Sequence, residues 1–249
     1  MSAKILYLDI ETAPNLALFF GSLWRQNISL AQLRESSRVI CVGWKWRGKG
    51  RIHFASEYHD GREAMLARVH EALSEADVVA TYNGKSFDVP VLSWDFARAG
   101  MLPPAPFQQL DLLQTMKRRF RATSNKLDHV VKELGIGSKV EHEGFELWVR
   151  CLMNDDAAWS RMRRYCKHDV ALLEPLHDRL MPWLYGAPNA RLYAEDDTDV
   201  CPSCGSSDLR REGHRYTALG RYQRYQCRTC GAWSTASRRD AGTDIRGIP

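Results

Sequence analysis

The chain has 249 residues, 44% of them hydrophobic and 26% charged, with a formal net charge of +5. That composition is ordinary for a soluble globular protein, and the length holds one good core plus a small module. No apolar run approaches the ~20 residues of a membrane helix and residues 1–9 show no signal peptide, so no membrane partner is expected.

Charge and cysteine both gather at the C-terminal end. Residues 201–249 hold nine arginines, no lysine and four acids, whereas residues 1–200 balance 26 bases against 26 acids. A basic module on a neutral body points to a polyanionic partner, although basic tails also occur without one. Four of the seven cysteines form two C-x-x-C pairs, while Cys41, Cys151 and Cys166 are isolated. This pattern favours a metal site in a reducing, cytoplasmic compartment over a disulfide framework.

In chain order, apolar alternation predicts strands over 5–11, 39–46 and 51–55, the last after the turn GKG. The first contains YLDIETAP (7–14), where Asp9 and Glu11 share one face and Leu8 and Ile10 the other. Two like charges on one face repel unless water or a cation meets them. By itself the stretch also reads as an edge strand with one wet face. Met65, Val69 and Leu73, four apart, predict a helix over 61–75. A buried-type strand follows over 78–82. A helix over 86–99 has Ser86 as its expected cap and Pro90 in its first turn. MLPPAP is a loop, 109–113 a short strand, and 127–134 and 154–184 are helices. Together they define an α/β domain with a mixed, helix-flanked sheet over residues 1–190. An acidic linker is expected over 191–200, and residues 237–249 read as a disordered tail.

The long last helix carries Trp159, Met162, Cys166, Leu173, Leu176 and Leu180 as an apolar stripe, and Asp169 falls on that face with Tyr165 one turn before it. A carboxylate turned toward the core must find a partner, and an arginine would serve as well as a metal. In YNGKSFDVPVL (82–92), Asn83 sits in a turn and Asp88 in the first turn of a helix, where an acid is also ordinary dipole chemistry. KRRFR (117–121), with Lys117, Arg118 and Arg119, and RMRR (161–164) read either as solvated helix faces or as phosphate contacts.

Taken together, Asp9-x-Glu11, Asn83 with Asp88, and Tyr165-x-x-x-Asp169 resemble, in that order, the DEDD superfamily of 3′–5′ exonucleases on the ribonuclease H-like fold. The resemblance covers roughly residues 1–185. The tyrosine four residues before the last aspartate is similar to the DEDDy branch. The DEDDh histidine would stand where Arg164 is, and His168 does not fit that role. YLDIET and TYNGKSFDVPVL resemble the stand-alone relatives of the family B polymerase exonuclease domain. The resemblance implies two catalytic Mg²⁺ or Mn²⁺ ions, with Asp9 bridging both. Glu11 and Asp169 would complete the water-activating site, Asp88 would hold the second ion, and Tyr165 would orient the water. Thr12 and Asn83 would lie near the 3′ end, and Phe87 would stack on or wedge a base. The four acids are expected to form a cage empty of protein cations. DNA, single-stranded or frayed, is favoured over RNA. An exoribonuclease with the same site and a non-catalytic adaptor are the alternatives.

CPSC (201–204) and CRTC (227–230), 22 residues apart, read as one structural zinc site formed by Cys201, Cys204, Cys227 and Cys230. Residues 201–236 also resemble a zinc ribbon with a hairpin between two knuckles, its folding driven largely by the metal. His214 is a spare ligand. Arginines interleaved with tyrosines, Arg215 and Tyr222 among them, suit phosphate contact and base stacking; docking of another protein is the rival use.

Overall fold

The computed structural model describes residues 3–21, 27–141, 143–194 and 198–246. Along the chain come β1 (Ile5–Thr12), β2 (Leu16–Ala17), β3 (Leu33–Glu35), β4 (Val39–Trp46), β5 (Ile52–Ser56), α1 (Arg62–Glu75), β6 (Val78–Thr81) and α2 (Asp88–Arg98). They are followed by β7 (Gln108–Asp111), α3 (Leu112–Arg119), α4 (Leu127–Glu133), α5 (Phe145–Leu152) and α6 (Asp156–Leu180). The C-terminal module adds β8 (Leu209–Tyr216), β9 (Gly220–Cys227), β10 (Trp233–Thr235) and β11 (Ala241–Gly242).

Five strands form the expected mixed sheet in the order β5-β4-β1-β6-β7. β1, β6 and β7 run parallel, β4 pairs antiparallel with both β1 and β5, and β4 is thus the one reversed strand of the five. Period-two alternation decides which helices cover which face. Leu6, Leu8 and Ile10 of β1 pack with Met65, Leu66 and Val69 of α1 and with Leu92 and Phe96 of α2. Tyr7 points the other way, into a second core with Val170, Leu173 and Leu176 of α6. Asp9 and Glu11 continue the Tyr7 face toward the same helix.

Two contacts set how α6 lies on that face. At its C-terminal half, Tyr7 donates from its hydroxyl to His177 Nδ1 at 2.8 Å and accepts from Arg47 at 2.6 Å. Burial, helped by the Arg47 charge, pushes the His177 pKa down to about 3, so the ring stays a neutral acceptor. Further along, Gly43 stands opposite Asp9 in the β1–β4 ladder. A Cβ there would meet Cys166 Sγ and Val170 Cγ2 at 3.0 Å, so the missing side chain lets α6 close onto the sheet beside Asp9.

Several local expectations change. The strand expected over 109–113 stops at Asp111, whose carboxylate accepts from Leu113 N at 3.0 Å and starts α3 at Leu112. Ser86 does not cap α2: Phe87 holds the cap position, and no side chain caps that end. The last long helix begins at Asp156, capped by Asp155 through Ala158 N at 3.0 Å, and gives way after Leu180 to a 3₁₀ turn, Met181–Trp183. Within the stretch read as a disordered tail, Ala241–Gly242 pairs with Arg221 and Gly220 of β9, which offers a free ladder edge there. Linker residues 195–197 and tail residues 247–249 lie outside the described residues. Among the described residues no helix is long and apolar enough to cross a membrane.

Candidate functional site

β1 and α6 bring three of the expected acids together. Asp9, Glu11 and Asp169 each place a carboxylate oxygen within 4.8 Å of the others. Tyr165 lies one helical turn before Asp169. Trp148 of α5 donates a hydrogen bond to Glu11 and meets the Tyr165 ring edge-on at 6.1 Å. Neither α5 nor Trp148 stood out in the sequence, because eight residues with one apolar face give little periodic signal.

The fourth acid arrives by a different route. β1 and β6 pair only as far as Tyr7 and Ala80. Asn83, at φ 75°, then reverses the chain, and Gly84 follows where a Cβ would collide with Thr81 at 2.4 Å. The Asn83 amide is held by Asp111 Oδ1 at 2.9 Å. Asp88 thereby begins α2 beside β1 and accepts from Ile10 N at 3.1 Å. Only 4% exposed, it adds its charge to Asp9 and Glu11 but stands outside the tight three-acid group.

The expected cage free of protein cations is corrected by Lys139. Its ammonium donates to Asp169 Oδ2 at 2.5 Å and to the Tyr165 hydroxyl at 3.1 Å. The loop that carries it is pinned twice. Asp128 accepts from Lys139 N at 2.8 Å, and His168 donates from Nε2 to Ser138 O at 2.7 Å. No local pattern announces Lys139, since it lies in a non-periodic loop and meets α6 only in the folded chain. Burial disfavours its charge, but Asp169 outweighs burial and holds the ammonium above its usual pKa.

One ammonium does not neutralise the group. Fully ionised, as a bound cation would require, three carboxylates against one lysine carry two negative charges in excess, and Asp88 adds a third. Asp9 Oδ2 and Asp169 Oδ1 are buried with no hydrogen-bond partner among the described residues. Orphaned anionic oxygens converging in this way fit a hard divalent cation. Burial raises Asp9 well above the carboxylate range, with Asp88, Glu11 and Asp169 adding to the shift. Burial, then Asp169, raises Glu11 to about 8, and burial raises Asp88 to about 7. Burial raises Tyr165 as well, keeping it a protonated phenol.

A pH dependence follows. Between about pH 5 and 8 the metal-free native state holds protons that unfolded carboxylates have released. Stability is therefore present at the acid end and is lost as pH rises through 7 to 8. The expected result is a Tm about 5–10 °C lower at pH 8 than at pH 5.5 in chelator, with the fall removed by Mn²⁺. Calorimetry showing a rising Tm over that range in chelator would contradict the assignment.

The other expected contacts are dispersed. Thr12 ends β1 at a bulge, and Phe87 is 42% exposed next to Asp88. Arg118 and Arg119 cover the Tyr185 ring at 5.5 and 5.8 Å, and with Lys117 they form the last turn of α3. Arg215 and Tyr222 face each other across β8 and β9. Arg211 opposite Tyr225 and Tyr216 opposite Arg221 repeat the pairing.

In the C-terminal module the four cysteine sulfurs lie within 4.8 Å of one another. Cys201 and Cys230 are 3.6 Å apart and Cys204 and Cys227 3.7 Å, too far for disulfides. A tetrahedron with metal–sulfur bonds near 2.3 Å has edges of about 3.8 Å, so the set fits zinc. Burial raises Cys227, but the amides of Cys230 and Thr229 outweigh it and lower the thiol to about 7, readying a thiolate. His214 stands outside the group and lies 3.4 Å from Asp240.

A central strand carrying two acids, a helix bringing a third, and a mixed sheet between helical layers define a ribonuclease H-like domain. The family model of the RNase H superfamily matches residues 31–181, and the chain belongs to that superfamily. Asp88, Tyr165 and Asp169 lie inside the matched span, while Asp9 and Glu11 precede it. Among solved structures, the family B DNA polymerase from the hyperthermophilic archaeon Pyrobaculum calidifontis is similar, with a TM-score of 0.54 and 19% identity. The likeness covers 87% of this chain and 31% of that one, and at this identity it is a likeness of fold. No curated protein matches the sequence.

Proposed function

We propose that the protein is a metal-dependent 3′–5′ exonuclease of the DEDDy type that trims DNA ends, with a C-terminal zinc ribbon that grips the nucleic acid. The observation that carries this reading is the Asp9–Glu11–Asp169 group, which gathers more carboxylates than Lys139 can pair and leaves buried oxygens orphaned. Two Mg²⁺ or Mn²⁺ ions held by Asp9, Glu11, Asp169 and Asp88 would polarise the phosphate and supply a hydroxide nucleophile.

The chain's own groups do the rest. Tyr165, protonated and held by Lys139, orients the attacking water by hydrogen bonding rather than taking its proton. Lys139 presents a cation to the phosphate oxygens as their charge grows. Phe87 offers an aromatic face to the terminal base, with Thr12 and Asn83 near the 3′ end. In the ribbon, cross-strand Arg–Tyr pairs set phosphate-binding and base-stacking groups side by side.

The test uses 5′-labelled single-stranded DNA, frayed duplex and RNA in Mg²⁺ or Mn²⁺. A ladder shortening from the 3′ end of DNA is expected. Internal cuts or 5′ removal would overturn the polarity, and a ladder on RNA alone would move the substrate to RNA. Lys139→Met is expected to lower turnover about 10–100-fold while tightening Mn²⁺ binding to the substrate-free protein, since a competing cation is gone. Paramagnetic resonance titration reads the second effect. Unchanged Mn²⁺ affinity would show that Lys139 and the ion do not share the site.

A further inference from the structure

The RMRR stretch leads to a second cationic site. Beside the edge strand β5, a cavity of about 530 Å³ is lined by Arg51 and His53, by Asp60, by Arg68 of α1, and by Arg163 and Lys167 of α6. Four permanent cations thus face one carboxylate. Asp60 is already engaged, with Arg68 at 2.6 Å and with Ser56 N at 2.9 Å. Among the described residues no carboxylate lies within 4.0 Å of Arg51, Arg163 or Lys167. The walls are aromatic. His53 stacks on Trp44 at 5.3 Å, Arg68 lies over Trp44 at 5.5 Å and Arg163 over Phe54 at 5.7 Å. Burial, then the charges of Arg51, Arg68 and Lys167, lower the His53 pKa. One or two charges suffice to protect a sheet edge from pairing. Four gathered cations with three unpaired call for a ligand with repeated negative charges.

The place of this cavity on α6 says which. Arg163 and Lys167 each stand two residues before Tyr165 and Asp169, about 200° around the helix. Cations and acids therefore occupy opposite flanks of one helix, about 10–12 Å across with its side chains. Arg164 and His168 lie on the outward face between them. A chain of phosphates crossing α6 meets a cation on each side of the ridge before its end reaches the carboxylates.

We propose that the cleft between β5, α1 and α6 binds the sugar–phosphate backbone of a nucleic-acid strand whose 3′ end lies at Asp9, Glu11 and Asp169. This inference rests on the nuclease reading for the position of the strand end, but its binding test does not require cleavage.

In an Asp9→Asn background, fluorescence anisotropy would follow 5′-fluorescein oligonucleotides of 20 and 5 nucleotides across a salt series. Arg51→Glu/Lys167→Glu is expected to weaken the 20-mer at least tenfold and to lower its log–log salt slope by about 1.4, two phosphates at ~0.7 each. The 5-mer, with few phosphates left for the cleft once its 3′ end sits at the acids, should lose less affinity than the 20-mer. A control with the same net charge change at exposed positions elsewhere, Arg34→Glu/Arg179→Glu, should leave 20-mer affinity within twofold. Arg51→Gln/Lys167→Gln should fall between parent and reversal, which separates binding from misfolding. Unchanged 20-mer affinity and slope, equal losses in the control, or polyglutamate competing as well as DNA would each overturn the proposal. If the wild type binds the 20-mer through the cleft yet trims nothing, the cleft stands and the nuclease reading falls.

Discussion

Asp9→Asn is expected to abolish nucleotide release, by about 10³-fold or more, and at the same time to raise the Tm of the metal-free protein. The first effect follows from the proposed role of the site: removing a central anionic ligand would forfeit several kcal/mol of transition-state stabilisation. The second follows from the cost of holding the site together. Asp9 is desolvated and faces Asp88, Glu11 and Asp169, with one oxygen unpaired. An amide of the same shape removes that repulsion, worth about 1–2 kcal/mol or a few degrees in Tm. Asp169→Asn should lose activity equally but gain no stability, because it strands the Lys139 ammonium. Melting curves in chelator separate the two variants. A destabilised Asp9→Asn with unchanged activity would mean the acids serve the fold.

The second large effect concerns the cysteines. Cys204→Ser/Cys227→Ser is expected to reduce bound zinc from one ion per chain to none and to leave residues 201–236 open to limited proteolysis. The buried residues of this module are Cys201, Cys227 and Ala232, too small a core to fold a four-stranded sheet without metal. The five-stranded sheet domain, with its own cores, should keep its Tm within about 2 °C. A module that resists protease after zinc loss would show that its hydrogen bonds suffice.

What was legible in the sequence followed periodicity and spacing. β1 and β4 are eight-residue strands with plain alternation, and α6 spans seven turns with one apolar stripe, so their acids and tyrosine could be assigned to faces. The hairpin between the cysteine knuckles was expected from the resemblance of the two knuckles to a zinc ribbon, and β8 and β9 form it. The eight-residue helices α3 and α5 were not, because two turns fit several patterns equally. Lys139 was invisible for a different reason. Its place depends on Asp128 and His168 fixing a loop between two helices, a long-range arrangement without a local signature. Gly43 likewise reads as a weak strand residue until α6 is seen to pass over it.

On the proposed reading Asp9, Glu11 and Asp169 hold divalent metal, with Lys139 as a partial stand-in. A crystal soaked in Mn²⁺ and measured at the manganese absorption edge tests this most directly. An anomalous peak coordinated by Asp9 and Asp169 is expected, with the Lys139 ammonium moved off Asp169. A crystal with no peak between these carboxylates, and with Lys139 still paired to Asp169 at saturating Mn²⁺, would contradict it.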